Sequence, residues 1–112
     1  MATAELAVII PVLVAVLALC LSGLGLAVDQ IRSTDAARIA VRAAARGEPE
    51  EAVRGAAEQA APEGSEITIS ESAGRVRVTV TAPARSRFLP GLPRASASVE
   101  AALEPAARSG SP

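Results

Sequence analysis

Hydrophobic positions in this chain change rhythm along its length, and each rhythm predicts a different element. From Leu6 to Val28 the chain runs for 23 residues without a charge. A bilayer core of ~30 Å needs about 20 apolar residues in a helix, so residues 1–28 read as a membrane-spanning segment with room for tilt. The next stretch, Asp29 to Arg46 (DQIRSTDAARIAVRAAAR), has no Gly or Pro and is rich in helix formers. No turn signal separates the two. One helix is therefore expected from about Thr3 to Arg46, roughly 65 Å long at 1.5 Å per residue, with Gly47 as its C-terminal cap. A second, short helix should start at Pro49, a residue suited to the first helical position. Glu50 and Glu51 favour the positive end of its dipole, and Pro62 stops it after Ala60.

Past residue 63 the period drops to two. Ile67 and Ile69 alternate with Thr68 and Ser70, and Val76, Val78 and Val80 alternate with Arg77 and Thr79. Between the runs lies ESAGR, where Gly74 can adopt a positive φ, so a β-hairpin with one apolar face is predicted. A loop, APARSRFLPGLPR, follows with three prolines. Ala95, Ala97, Val99, Ala101 and Leu103 then alternate with Ser96, Ser98 and Glu100, which reads as a third strand. The tail from Pro105 to Pro112 is small and polar and is expected to be disordered. The predicted class is α+β: a long apolar helix, its extension over 29–47, a short helix and turn over 48–62, and a small three-stranded antiparallel β-rich head over 63–104.

Composition narrows this picture. Ala is the commonest residue, with 26 copies, and Phe88 is the only aromatic in 112 residues. Each buried alanine contributes little area at roughly 25 cal/mol per Å². The 84 residues beyond Val28 make a marginal core, so the head is expected to lean on a membrane, a neighbour or an assembly. A net charge of −1 argues against nucleic acid, since neutralising phosphates takes a basic excess. All 11 basic residues are Arg, and His is absent, which removes the commonest general base and metal ligand together. Glu48, Glu50 and Glu51 cluster where a helix start explains them, and no glycine-rich phosphate loop is present. An enzyme, a metal site, a cofactor and a small-molecule substrate are not expected.

Within the apolar run, Pro11 removes a hydrogen bond near the start and favours a bend, while Gly23 and Gly25 loosen the far end. Gly23 and Ala27, like Ala18 and Ser22, stand four apart and would permit close helix packing. The bland alternative is that small residues are simply common here. The lone Cys20 cannot close a disulfide within the chain. Arg38, Arg42 and Arg46 fall on one helix face at four-residue spacing, with Asp35 able to pair with Arg38. Such a row is either a solvated face or an interaction face. Gly25-Leu26-Ala27 carries the small residues that signal peptidase prefers, so a cleaved secretory signal is an alternative, although no basic residue precedes the run. A lipoprotein signal fits worse, because the residue before Cys20 is Leu19. Read literally, Arg32, Arg38, Arg42 and Arg46 on the C-terminal side place the head in the cytoplasm.

Ala4-Glu5-Leu6-Ala7, the apolar stretch with Pro11 six residues past Glu5, and DAARIAVRAAARG from Asp35 to Gly47 together resemble the TadE family of pilin-like proteins, in particular its small actinobacterial minor pilins. The second half is similar only in outline. The resemblance implies a single-pass structural protein, a minor pilin or assembly component of a Tad-type (type IVb-like) pilus or secretion system. It implies as partners other pilins, a prepilin peptidase and the Tad assembly platform with its ATPase. Prepilins of this kind carry a short basic leader ending in Gly, and in their mature form the acid is residue 5. Met1 would then stand where the mature first residue does, and a leader upstream would reverse the orientation, placing the head outside the cytoplasm. In such families the acid compensates a neighbour's α-amino group, a pairing costly to leave half-made when buried. Otherwise Glu5 is a solvated interfacial acid at a helix N-terminus. The rival reading is a membrane-anchored or secreted interaction module, unrelated to pili, that binds through the Val76–Val80 strand or the arginine face.

Overall fold

The computed structural model describes residues 2–84 and 93–103. Met1, the proline-rich loop around Phe88 and the expected tail lie outside the described residues. Helix α1 spans Ala2–Ala45 without interruption, 44 residues or about 66 Å, and passes through Pro11, Gly23 and Gly25. It gives the molecule its longest extent of 79 Å, against 20 and 18 Å across. Pro11 is the tenth residue of α1, inside the helix, so the Ala7 carbonyl loses its backbone donor there, yet the helix continues through it.

Helix α1 ends as anticipated. Gly47 takes φ +84°, its N–H donates to the Ala44 carbonyl at 3.0 Å, and the Glu48 N–H reaches back to Ala43 at 3.2 Å. This reversal needs a left-handed residue. Helix α2 covers Glu50–Ala60. Pro49 was expected at the first helical position, but it is the N-cap, with φ −61° and ψ 150°. Its extended ψ lets its carbonyl accept from the Val53 N–H at 3.0 Å, which closes the first turn without a side-chain cap.

Three strands follow: β1 (Glu66–Ser72), β2 (Arg75–Thr81) and β3 (Ser96–Ala102). They form an antiparallel sheet in the order β1-β2-β3. The β1–β2 turn uses Ala73 at φ 53° as well as Gly74 at φ 77°. Two positive angles make the twisted two-residue hairpin turn, and Ala73 occupies a conformation costing about 1–2 kcal/mol in an L-residue. Register Val78↔Val99 and Ile69↔Val78 aligns the apolar residues on one face. The opposite face is polar: Thr68, Thr79 and Ser98 form one cross-strand row, and Ser70, Arg77 and Glu100 the next.

Both helices lie against the apolar face of the sheet. The core joins Ala36, Ala37, Ala40, Val41, Ala43 and Ala44 of α1 to Val53 and Ala57 of α2 and to Ile67, Val76, Val78 and Val80 of the sheet. Valine is the largest fully buried apolar side chain in it. Alanines on the buried side of α1 let the helix approach the sheet closely, and the β-branched valines fill the pleat. The inward residues of β3, Ala97, Val99 and Ala101, are only half-buried, because β3 is an edge strand with one covered flank.

Candidate functional site: the apolar half of α1 and its junction with the head

The first 27 positions of α1 have no buried residue among those described; burial starts at Asp29. Leu6, Leu13, Leu17, Leu19, Leu21 and Leu24 are all more than half exposed. An 18-residue window of this helix reaches a mean hydropathy of 2.8 with none of it buried. One N-terminal helix is therefore long and apolar enough to span a membrane. Exposed large apolar side chains all around a helix have no favourable solvent in water, and in hydrocarbon they have one.

Glu5 sits exposed in the first turn of α1, where the helix dipole favours an acid. A Cβ added at Gly23 would meet nothing within 4 Å, so no contact within the chain calls for glycine there. Ser22 donates to the Ala18 carbonyl at 2.8 Å; one member of that small-residue pair is thus occupied within its own helix. Gly25 is half-buried at the base of the head, while Ala27 and Cys20 are exposed. The arginine row keeps its predicted face: Arg38, Arg42 and Arg46 are exposed on the side of α1 opposite Ala36, Ala40 and Ala44. Arg46 is paired with Glu48 at 2.6 Å. The expected Asp35–Arg38 pair is not formed among the described residues; the pairs present there are Arg46–Glu48, Arg54–Glu50 and Arg77–Glu100.

The junction between the apolar half of α1 and the head is built from polar residues that periodicity does not single out. Gln30 forms a two-point clamp on the edge of the sheet. Its Nε2 donates to the Ser96 carbonyl at 2.7 Å, and its Oε1 accepts from the Ser96 N–H at 3.1 Å. One side-chain amide thus stands in for a neighbouring strand residue at the start of β3. The backbone groups of Ser96 would otherwise be an open edge. Arg32 donates to the Ala61 carbonyl at 3.2 Å, placing a cation at the C-terminal end of α2 as the dipole favours. On the far edge, Arg54 donates to the Ile67 carbonyl of β1 at 2.7 Å. Asp29 and Ser33 are buried one turn apart on the same side of α1, and Ser33 Oγ has no hydrogen-bond partner among the described residues.

Of these residues only Asp29 and Gln30 left a sequence signal, as the first polar pair after the apolar run. Their partners lie 66 positions away in the case of Gln30, beyond the reach of local pattern. The ensemble can fix the head rigidly to the end of the apolar helix. Among the described residues no three His, Cys, Asp or Glu side chains are grouped to hold a metal ion. The chain matches no protein-family model, no curated protein and no solved structure.

Proposed function

We propose that this chain is a single-pass, pilin-like structural protein of the TadE type, a minor pilin or assembly component of a Tad-type pilus or secretion system. The observation that supports the reading best is the undivided α1. An apolar, membrane-length half with Glu5 in its first turn continues into the half that forms the core of a small α+β head. A helix of that build can transmit a pull or a tilt from the bilayer to the head, because no loop intervenes. Its role is mechanical and adhesive, with no reaction and no cofactor. Partners in this reading are the lipid bilayer, other pilins, a prepilin peptidase and an assembly platform, and the head faces away from the cytoplasm.

The test is the N-terminal sequence and intact mass of the protein from native membranes, expressed from its own locus with upstream DNA intact. Removal of a basic leader after Gly, leaving Met1 first and Glu5 fifth, is the expected result. A product beginning at Val28 would leave a secreted head and end the pilin reading. The head's buried residues begin at Asp29, so such a product would retain its core. An unprocessed Met1 would remove the special position of Glu5 and favour the unrelated interaction module.

A further inference from the structure

The head begins before the apolar run ends. Gln30 holds the backbone of Ser96, so β3 starts level with Gln30. The sheet packs further along α1, on Ala36 to Ala44, so the residues before Ser96 lead back toward the apolar run. There the ladder continues one pair past the strands: the Ala82 N–H donates to the Ala95 carbonyl at 2.8 Å, and both alanines are buried. Pro83 and Arg94 come next, up to about 7 Å beyond Ser96 at 3.3 Å per residue. On α1 a similar distance, about 6 Å, separates Gln30 from Leu26. Gly25 and Leu26 are half-buried, whereas Leu21 and Leu24 are 59% and 63% exposed. The base of the head thus stands beside the last turn of the run.

Both signs of charge are exposed at this base. Arg94 is exposed and makes no ion pair among the described residues. Arg32 is exposed as well and donates to the Ala61 carbonyl, with further N–H groups on the same guanidinium. On the β1 side stand Glu63 and Glu66, both exposed. Ile31 is apolar and 68% exposed, although it lies beyond Asp29 and the end of the run.

Length and polarity together set how deep the base can go. Leu6 to Val28 is about 35 Å of helix, a few Å more than a hydrocarbon core of about 30 Å. Such an excess is either taken up by tilt or left outside the hydrocarbon. Full immersion of the run would carry Arg94, and with it the end of the sheet, into the hydrocarbon. Arg94 and the polar row of Glu66, Thr81 and Ser96 cannot follow without losing their solvation. The base is therefore a stop, and it leaves the last turn of the run at the level of the headgroups.

We propose that the base of the head is a lipid-binding surface, seated in the headgroup layer with Arg94 and Arg32 against lipid phosphates and Glu63 and Glu66 against the lipid amines. The partner is a zwitterionic phospholipid surface, which offers both charges to a base that carries both. Guanidinium–phosphate hydrogen bonds are charge-assisted and directional, and Ile31 meets the apolar boundary just below them. The head rests on the bilayer and is not held clear of it. The inference deepens the reading above: it rests on the membrane-spanning part and needs no pilus.

The full chain with Cys20→Ser is given one labelled cysteine at a time and reconstituted in phosphatidylcholine vesicles that carry a nitroxide quencher on either the headgroup or the middle of the acyl chain. The positions are Leu13→Cys in the run, Ala84→Cys at the base and Ala102→Cys at the far end of β3, all exposed. The Leu13 label should lose its emission to the chain-borne quencher. The Ala84 label should lose most of its emission to the headgroup quencher, while the Ala102 label keeps its own. Arg94→Glu should restore part of the Ala84 emission and leave the head's melting temperature unchanged. An Ala84 label quenched no more than Ala102, or an Arg94→Glu variant quenched as before, would overturn the inference. A Leu13 label untouched by the chain-borne quencher removes the membrane reading and the inference with it. A quenched Leu13 beside an unquenched Ala84 removes the inference alone.

Discussion

Two halves of one helix use apolar residues in opposite ways. From Leu6 to Val28, large side chains such as Leu13, Leu19 and Leu24 stand more than 60% exposed. From Asp29 to Ala45 the covered side is made of alanine, with Ala36, Ala37 and Ala40 fully buried. The backbone is the same; the surroundings are not. In the membrane reading proposed above, the first half faces lipid and can carry bulk on every side, while the half seated on a three-stranded sheet needs small side chains on the seated side and can be polar elsewhere. Hydrophobicity alone does not mark the core of this protein. Residue size does.

The largest break in that contrast should come from a charge in the first half. In the membrane reading, Leu17→Arg places a cation in the middle of the spanning segment at a cost of about 2.5–3.5 kcal/mol. It should shift the protein from carbonate-resistant membranes to the extractable fraction, while hydrogen exchange in the head stays unchanged. If the head loosened as well, the two halves would not be energetically separate.

Size is the next lever. Ala40→Leu overpacks the seat of α1 on the sheet and should cost about 1–3 kcal/mol, lowering the head's thermal midpoint. Ala15→Leu, the same change in the exposed half, should leave that midpoint where it is. Equal shifts for the two would erase the distinction between the halves.

The junction is sharpened by Gln30→Ala. Losing both hydrogen bonds to Ser96 should cost about 1–2 kcal/mol and speed amide exchange at Ser96 ahead of the rest of β3. Smallest is Ala73→Gly, far from either half of α1. It relieves the positive φ of 53° and should stabilise the head by about 1 kcal/mol, read as a raised midpoint in chemical denaturation.

Most of the element plan was legible in the chain. The uncharged run, the cap at Gly47, the second helix to Ala60 and the alternation through Val76–Val80 and Ala95–Leu103 are local signals, and the structure places elements there. Pro49 was misplaced by one position, because a proline at the N-cap and one at the first helical residue leave the same mark in sequence. Spacing allows Asp35 to pair with Arg38, and the pair does not form; spacing permits a surface pair without supplying the energy to hold it. The clamp of Gln30 on Ser96 and the contact of Arg54 with Ile67 were not legible, since each joins a helix side chain to a backbone group on a strand elsewhere in the chain.

The sequence by itself determined the elements, their order and the length of the apolar segment, since these follow from local propensity and periodicity. It also bounded the chemistry, through the absence of His and Lys and the balance of 11 basic against 12 acidic residues. Only the tertiary structure decided where α1 passes from exposed to buried, which alanines became core, and that Gln30 would clamp Ser96. Those outcomes depend on how closely a helix can seat on a particular sheet, and that distance is set by side chains remote in sequence.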